Sequence, residues 1–157
     1  MNYELYMGEA LAEARLAAQR GERPVAAVAV IDDAMVARAH DRVAETADPT
    51  AHAVMVALRE TSRKLGTLDL SEVTIFTTCE PCPMCVGALL ESQVQRLVFA
   101  VADRRSGAAG TVVQLARSDD LPRQLEVVSG IRAAEALDLV RDEPWFALPR
   151  SGVAARN

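Results

Sequence analysis

The sequence has no apolar run long enough to cross a bilayer. Its longest strongly apolar stretch, residues 25–31, falls far short of the roughly 20 residues that a spanning helix needs. The start of the chain also lacks the positive segment of a signal peptide, because Glu4 and Glu9 precede the first basic residue, Arg15. A chain that is neither secreted nor inserted in a membrane is expected. Positive charge is in short supply: 17 Lys and Arg against 22 Asp and Glu leave a formal net charge of -5 and a pI near 5.1. No global field is available to hold a polyanion, so nucleic acid would have to use a local patch. With 8 Gly and 7 Pro in 157 residues, 50% hydrophobic and 25% charged, the composition is globular rather than disordered or collagen-like. A chain of this length buries roughly 68–70% of its unfolded surface and needs no disulfide or metal for size alone. One domain over residues 1–157 is expected, with no internal repeat or linker.

Cysteine and histidine are scarce but concentrated. The three cysteines, Cys79, Cys82 and Cys85, fall within seven residues. That is too close for a disulfide framework and better suits a metal or redox role in a reducing cytoplasm. The two histidines are His40 and His52.

Leu5, Leu11, Leu16 and several alanines alternate with Glu9, Glu13, Arg15 and Arg20, which predicts an amphipathic helix over residues 4–20 ended by Gly21. Residues 25–31 and 35–39, separated by Asp32-Asp33, predict a hairpin. Asp48-Pro49-Thr50 signals entry into a helix over residues 51–65, ended by Gly66, with His52 in its first turn. A buried strand over residues 71–78 leads into the cysteine segment and a helix over 86–92. A strand at 96–102, a loop containing Gly107-Ala108-Ala109-Gly110, a strand at 125–129 and a helix at 132–141 stopped by Pro144 complete the chain. This alternation argues for an α/β layered fold with a mixed sheet.

Cys82-x-x-Cys85 at a helix start can present two thiolates to one ion, since side chains three apart share a face and free N–H groups there lower thiol pKa values. Zinc, iron–sulfur and dithiol redox chemistry all use such a pair. The position of the motif is late for a thioredoxin-like site, and Leu89 stands where an iron–sulfur run would need another cysteine, so zinc is favoured. Cys79, at a strand end before Pro81, reads better as a buried thiol than as a third sulfur ligand. His52, at its own helix start, can supply the third ligand of a catalytic zinc, which keeps one position open for a water of pKa about 7.

Pro49-Thr50-Ala51-His52-Ala53 and Glu80-Pro81-Cys82-Pro83-Met84-Cys85 together resemble the H-x-E and P-C-x-x-C pair of the zinc-dependent cytidine/deoxycytidylate deaminase superfamily. Within it, Pro24-Val25, Asp48-Pro49-Thr50-Ala51-His52, Gly107-Ala108-Ala109-Gly110 and the stretch from Leu125 to Ile131 look most like bacterial tRNA-specific adenosine deaminases, and Thr77-Thr78-Cys79-Glu80 resembles guanine deaminases. The resemblance implies a three-layer α/β/α domain with a central mixed sheet, a homodimer, and Zn2+ bound by His52, Cys82 and Cys85. It implies hydrolytic removal of an amino group from a purine base, nucleoside or tRNA, with the Cys82 backbone N–H helping to hold the reacting oxygen. Asp41 and Asp103 match substrate-side positions.

The departure is Val54, which stands where the family carries its proton-shuttling glutamate. General acid–base catalysis is worth roughly 10²–10⁴-fold, so the expectation is a chain that is inactive or severely impaired. Three readings follow: a silenced tRNA-adenosine-type deaminase, a free guanine or nucleoside deaminase, and a zinc-binding pseudoenzyme that partners an intact deaminase. Asp41 replaces a customary asparagine, and Glu135, Asp138, Asp142 and Glu143 replace a basic tail, which weakens tRNA binding on electrostatic grounds. Arg96, Arg104 and Arg105 offer a candidate phosphate patch. Glu80 reads as loop or dimer packing, and Trp145-Phe146 as core or dimer packing rather than a base-stacking platform.

Overall fold

Strands β1 (Ala26–Ile31) and β2 (Ala34–His40) join through Asp32 and Asp33, whose φ angles of 50° and 56° are those of a two-residue turn that follows the twist of the strands. In this computed structural model, which describes residues 1–147, three further strands complete one sheet: β3 (Thr74–Cys79), β4 (Arg96–Val101) and β5 (Glu126–Ser129). Their order is β2-β1-β3-β4-β5. β1 runs antiparallel to both of its neighbours, while β3, β4 and β5 are parallel. It follows that β2, β3, β4 and β5 all end at one edge of the sheet, and β1 begins there.

Helices α1 (Tyr3–Gln19) and α5 (Ala133–Val140) cover one face of the sheet, and α3 (Ala53–Leu65) and α4 (Pro83–Glu91) cover the other. Two short helices, α2 (Val43–Thr46) and α6 (Pro144–Ala147), lie in connections. The three-layer α/β/α arrangement follows from strands buried on both faces. Ala27, Ala29, Ile75, Leu97 and Phe99 pack beneath α3 and α4, whereas the alternate residues Val28, Val30, Phe76 and Val98 pack beneath α1 and α5.

Several boundaries differ from those read in the sequence, and each has a local cause. His52 is the N-cap of α3 rather than part of its first turn, with an extended ψ of 153°. The cysteine helix begins at Pro83, not Val86, because a proline at the first helical position loses no intrahelical bond. By the same property Pro144 opens α6 instead of stopping α5, which already ends at Val140. No signal in the sequence marks α2. Its N-terminal amides are capped from a distance by the buried carboxylate of Glu22, which accepts from Ala44 N and Glu45 N at 2.8 Å each. No helix among the described residues is long and apolar enough to cross a membrane.

Phe76 is fully buried and meets the rings of Tyr3 and Tyr6 at centroid distances of 5.8 and 5.4 Å. Phe76→Ala is expected to cost about 3–5 kcal/mol of unfolding free energy in a denaturant titration. A loss below 1 kcal/mol would mean that α1 does not seal this face of the sheet.

Candidate functional site

The common edge where four strands end gathers the chemistry. β2 ends at His40 and is followed by Asp41, β3 ends at Cys79 and is followed by Glu80, and β4 ends at Val101 and is followed by Asp103. α3 and α4 both start at this edge, and their N-caps are His52 and Cys82. Neither side chain spends itself capping its own helix, so both are free to meet. Cys85, one turn into α4, joins them.

The ligand atoms of His52, Cys82 and Cys85 all lie within 4.8 Å of one another, and His52 Nδ1 is 3.6 Å from each sulfur. Zinc bonds of about 2.3 Å to sulfur and about 2.0–2.1 Å to nitrogen, set at a tetrahedral angle, require about 3.5–3.6 Å between those atoms. The three side chains therefore fit a zinc ion, with one position left for a small ligand. Their electrostatics agree. A hydrogen bond from Cys85, helped by one from His52, draws the Cys82 thiol down to about 4, whereas Cys85, the donor in that bond and more deeply buried, is pushed up. His52 is raised, first by its bond to Cys82.

The other cysteine and histidine stand apart. Cys79 lines the cleft but is outside the cluster, and burial lifts its thiol to about 12. His40 is committed to Glu13, with Nδ1 2.7 Å from Oε1.

The cluster lies in a cleft of about 210 Å³ that opens to the surface. Val54, only 3% exposed, contributes its methyl groups to the wall. Three carboxylates share the lining: Asp41, Glu80 and Asp103. Glu80 is fully engaged. Its Oε1 accepts from Asp103 N at 3.2 Å and from the Thr111 hydroxyl, and its Oε2 accepts from Ala109 N at 3.0 Å and Thr111 N at 3.2 Å. Asp103 holds its own loop by accepting from Arg105 N at 2.8 Å, Ser106 N at 3.3 Å and the Ser106 hydroxyl at 3.2 Å. Asp41 accepts one bond, from Val43 N at 3.0 Å, and burial raises its pKa.

Two readings of surface groups change. Arg96 opens the six-residue β4, about 17 Å long, and the Arg104-Arg105 pair follows its far end, so they do not form one phosphate patch. Arg96 is instead paired with Glu126 at 3.0 Å. Trp145 is not core packing: it lines the cleft, together with Arg23, Thr77, Arg105 and Ser106, none of which the sequence singled out as cleft residues. No periodicity marks such residues, since they come from separate segments: the chain before β1, β3, the loop after β4, and α6.

Glu80 joins the zinc loop to the loop at residues 103–111, and the contact is close. A Cβ at Gly107 would sit 2.4 Å from Glu80 Cδ and 2.5 Å from the Asp103 carbonyl oxygen. Glu80→Gln retains a single acceptor oxygen facing several donors, and Gly107→Ala pushes the carboxylate away. Both variants are expected to retain one zinc per chain yet lose about 1–3 kcal/mol of stability and exchange amide hydrogen faster at residues 103–111. Unchanged exchange in both would show that the loop is held by other contacts. Replacing His52 or Cys85 by alanine is expected to abolish stoichiometric zinc, read by metal analysis after dialysis.

Residues 1–101 match the family model of the cytidine and deoxycytidylate deaminase zinc-binding region. The chain is 42% identical over 132 residues to a tRNA-specific adenosine deaminase of Bacillus subtilis, covering 84% of this chain and 82% of that protein. Among solved structures, one from studies of A-to-I editing by tRNA:A34 deaminases superposes with a TM-score of 0.83 at 32% identity, covering 86% of this chain and 98% of the other. A guanine deaminase from Nitrosomonas europaea superposes with a TM-score of 0.74 at 29% identity, covering 88% and 82%. The match in sequence, in fold and in the three zinc-ligand side chains leads to one conclusion: the chain belongs to the cytidine and deoxycytidylate deaminase zinc-binding family.

Proposed function

We propose that this chain carries a purine-directed deaminase site of the tRNA adenosine type that is silent, or nearly so, because Val54 occupies the place of the proton-transferring carboxylate. The observation that supports this reading is the wall beside the zinc ligands. Val54 sits two residues after His52, buried against the cleft, and offers only methyl groups.

His52, Cys82 and Cys85 would hold zinc, which would supply a water acidified to near neutrality. The rest falls to the protein. The Cys82 backbone N–H, at the start of α4 and with no hydrogen-bond acceptor among the described residues, is available to hold an oxygen at the reacting carbon. Replacing a ring amino group by oxygen requires a proton on the ring nitrogen and another on the departing amine. Val54 can carry neither. Glu80 and Asp103 are tied up by backbone and hydroxyl donors, which leaves Asp41 with one oxygen outside any hydrogen bond. Asp41 is then the ligand-side acceptor for donor edges of a base or sugar, and Asp103 holds the loop beside it.

A second reading has support from Val54 itself: a zinc-stabilised partner subunit, paired with its own copy or with an intact deaminase, acting as one domain in a reducing cytoplasm. The two readings separate by restoring the carboxylate. Ammonia release from adenosine, guanine, guanosine and tRNA is measured for this chain and for Val54→Glu at equal zinc occupancy. The expected result is a gain of about 10²–10⁴-fold on one of these substrates. If neither version turns over any of them, the partner-subunit reading replaces the enzymatic one.

A further inference from the structure

Among the described residues the Asp41 carboxylate takes one hydrogen bond, from Val43 N at 3.0 Å. The backbone around it is pinned, since Asp41 N donates to Val25 O and Arg42 N to Ala51 O, at 3.0 Å each. What remains free is rotation of the side chain, and the Val43 amide decides where its second oxygen points. Burial raises the Asp41 pKa, and that same amide is the foremost influence drawing it back. Val43 is the first residue of α2, so the acceptor depends on how α2 is held. α2 is poorly equipped to hold itself. It has four residues, none of them buried, and its N-cap, Arg42, gives no side-chain hydrogen bond. Its next two amides, Ala44 N and Glu45 N, are both taken by Glu22, at 2.8 Å each. A carboxylate at a helix start is favoured by charge as well as by its hydrogen bonds. Glu22 is buried, and its own amide donates to Ala17 O at the end of α1 at 3.0 Å. The first three amides of α2 are therefore shared between two carboxylates, of which Asp41 lines the cleft and Glu22 does not.

The geometry points to Glu22 as a positioning residue of this site: by holding the start of α2, it fixes the direction in which Asp41 presents its free oxygen to a ligand. The inference rests on the purine reading above, in which Asp41 accepts from a base or sugar, and adds the buried group that sets this acceptor. Because Glu22 lies outside the cleft lining, its effect on binding has to pass through Asp41. It requires no turnover, so a silent chain is suited to testing it at equilibrium.

Two measurements test it, one of them free of ligand. Hydrogen exchange at the Val43 amide is followed by NMR in the zinc-loaded chain and in Glu22→Gln, a variant that keeps the shape of the side chain but faces two amides with one acceptor oxygen. Val43 N gives its hydrogen bond to Asp41 and not to Glu22, yet its exchange is expected to quicken by about 3- to 10-fold. Binding of adenosine and guanosine is then titrated by calorimetry across a double-mutant cycle of Glu22→Gln and Asp41→Ala. Glu22→Gln is expected to weaken nucleoside binding by about 3- to 10-fold at unchanged zinc content, and to weaken it no further once Asp41 is replaced. A general loss of structure would cost the same with and without Asp41. That additive result, unchanged affinity in Glu22→Gln, or unchanged Val43 exchange overturns the positioning role and leaves the purine reading standing. Should this chain bind neither nucleoside at full zinc occupancy, the purine reading falls, and Val43 exchange alone decides whether Glu22 sets Asp41.

Discussion

Everything at this site depends on the direction of β1. Because that single strand runs against its neighbours, the other four end together, and the segments that leave them open onto one edge of the sheet. Two helices start at this edge with their positive ends directed at the same small volume, and the residues at their N-cap positions are an imidazole and a thiol. Helix ends leave several amides unpaired, and here that electrostatic surplus falls where thiolates need stabilising. The general rule that α/β sheets bind ligands beyond the carboxyl ends of their strands has a concrete form in this chain: zinc ligands from α3 and α4, acidic groups from the ends of β2, β3 and β4, and an arginine ahead of β1.

Fold and chemistry are separable at Val54. The side chain packs in the same hydrophobic cluster as Ala57, Leu58 and Cys85, so a valine there serves the core while offering the cleft only methyl groups. Glu80 is the converse case, a carboxylate beside the reacting centre whose oxygens are consumed by backbone and hydroxyl donors. Buried charge is tolerated when it is this fully hydrogen-bonded, and its effect is to make two loops move as one. Counting carboxylates near the cysteines would have suggested a substitute base. The hydrogen bonds argue against one.

Most elements were legible in the sequence because their signals are local. Asp32-Asp33 between two β-branched runs, Gly66 after a helical pattern and Cys82-x-x-Cys85 before another each reflect a preference acting over a few residues. Some boundaries moved for local reasons, but the missed helix and the arginine patch had distant causes. α2 depends on Glu22, some twenty residues upstream, and its own four residues carry no periodicity. The supposed arginine patch failed because neighbours in a list of basic residues were placed at opposite ends of a strand.

The sequence by itself determined the donor set for zinc and placed an apolar residue, Val54, two positions after His52, since both are matters of residue type at short spacing. It also determined the layered α/β class through alternating apolar patterns. Only the tertiary structure decided that His52 meets the two sulfurs 3.6 Å away, that Glu80 is spent on a loop, and that Trp145 walls the cleft. Those facts arise from contacts between segments far apart in the chain, whose distances follow from sheet order and helix packing and leave no trace in the local run of residues.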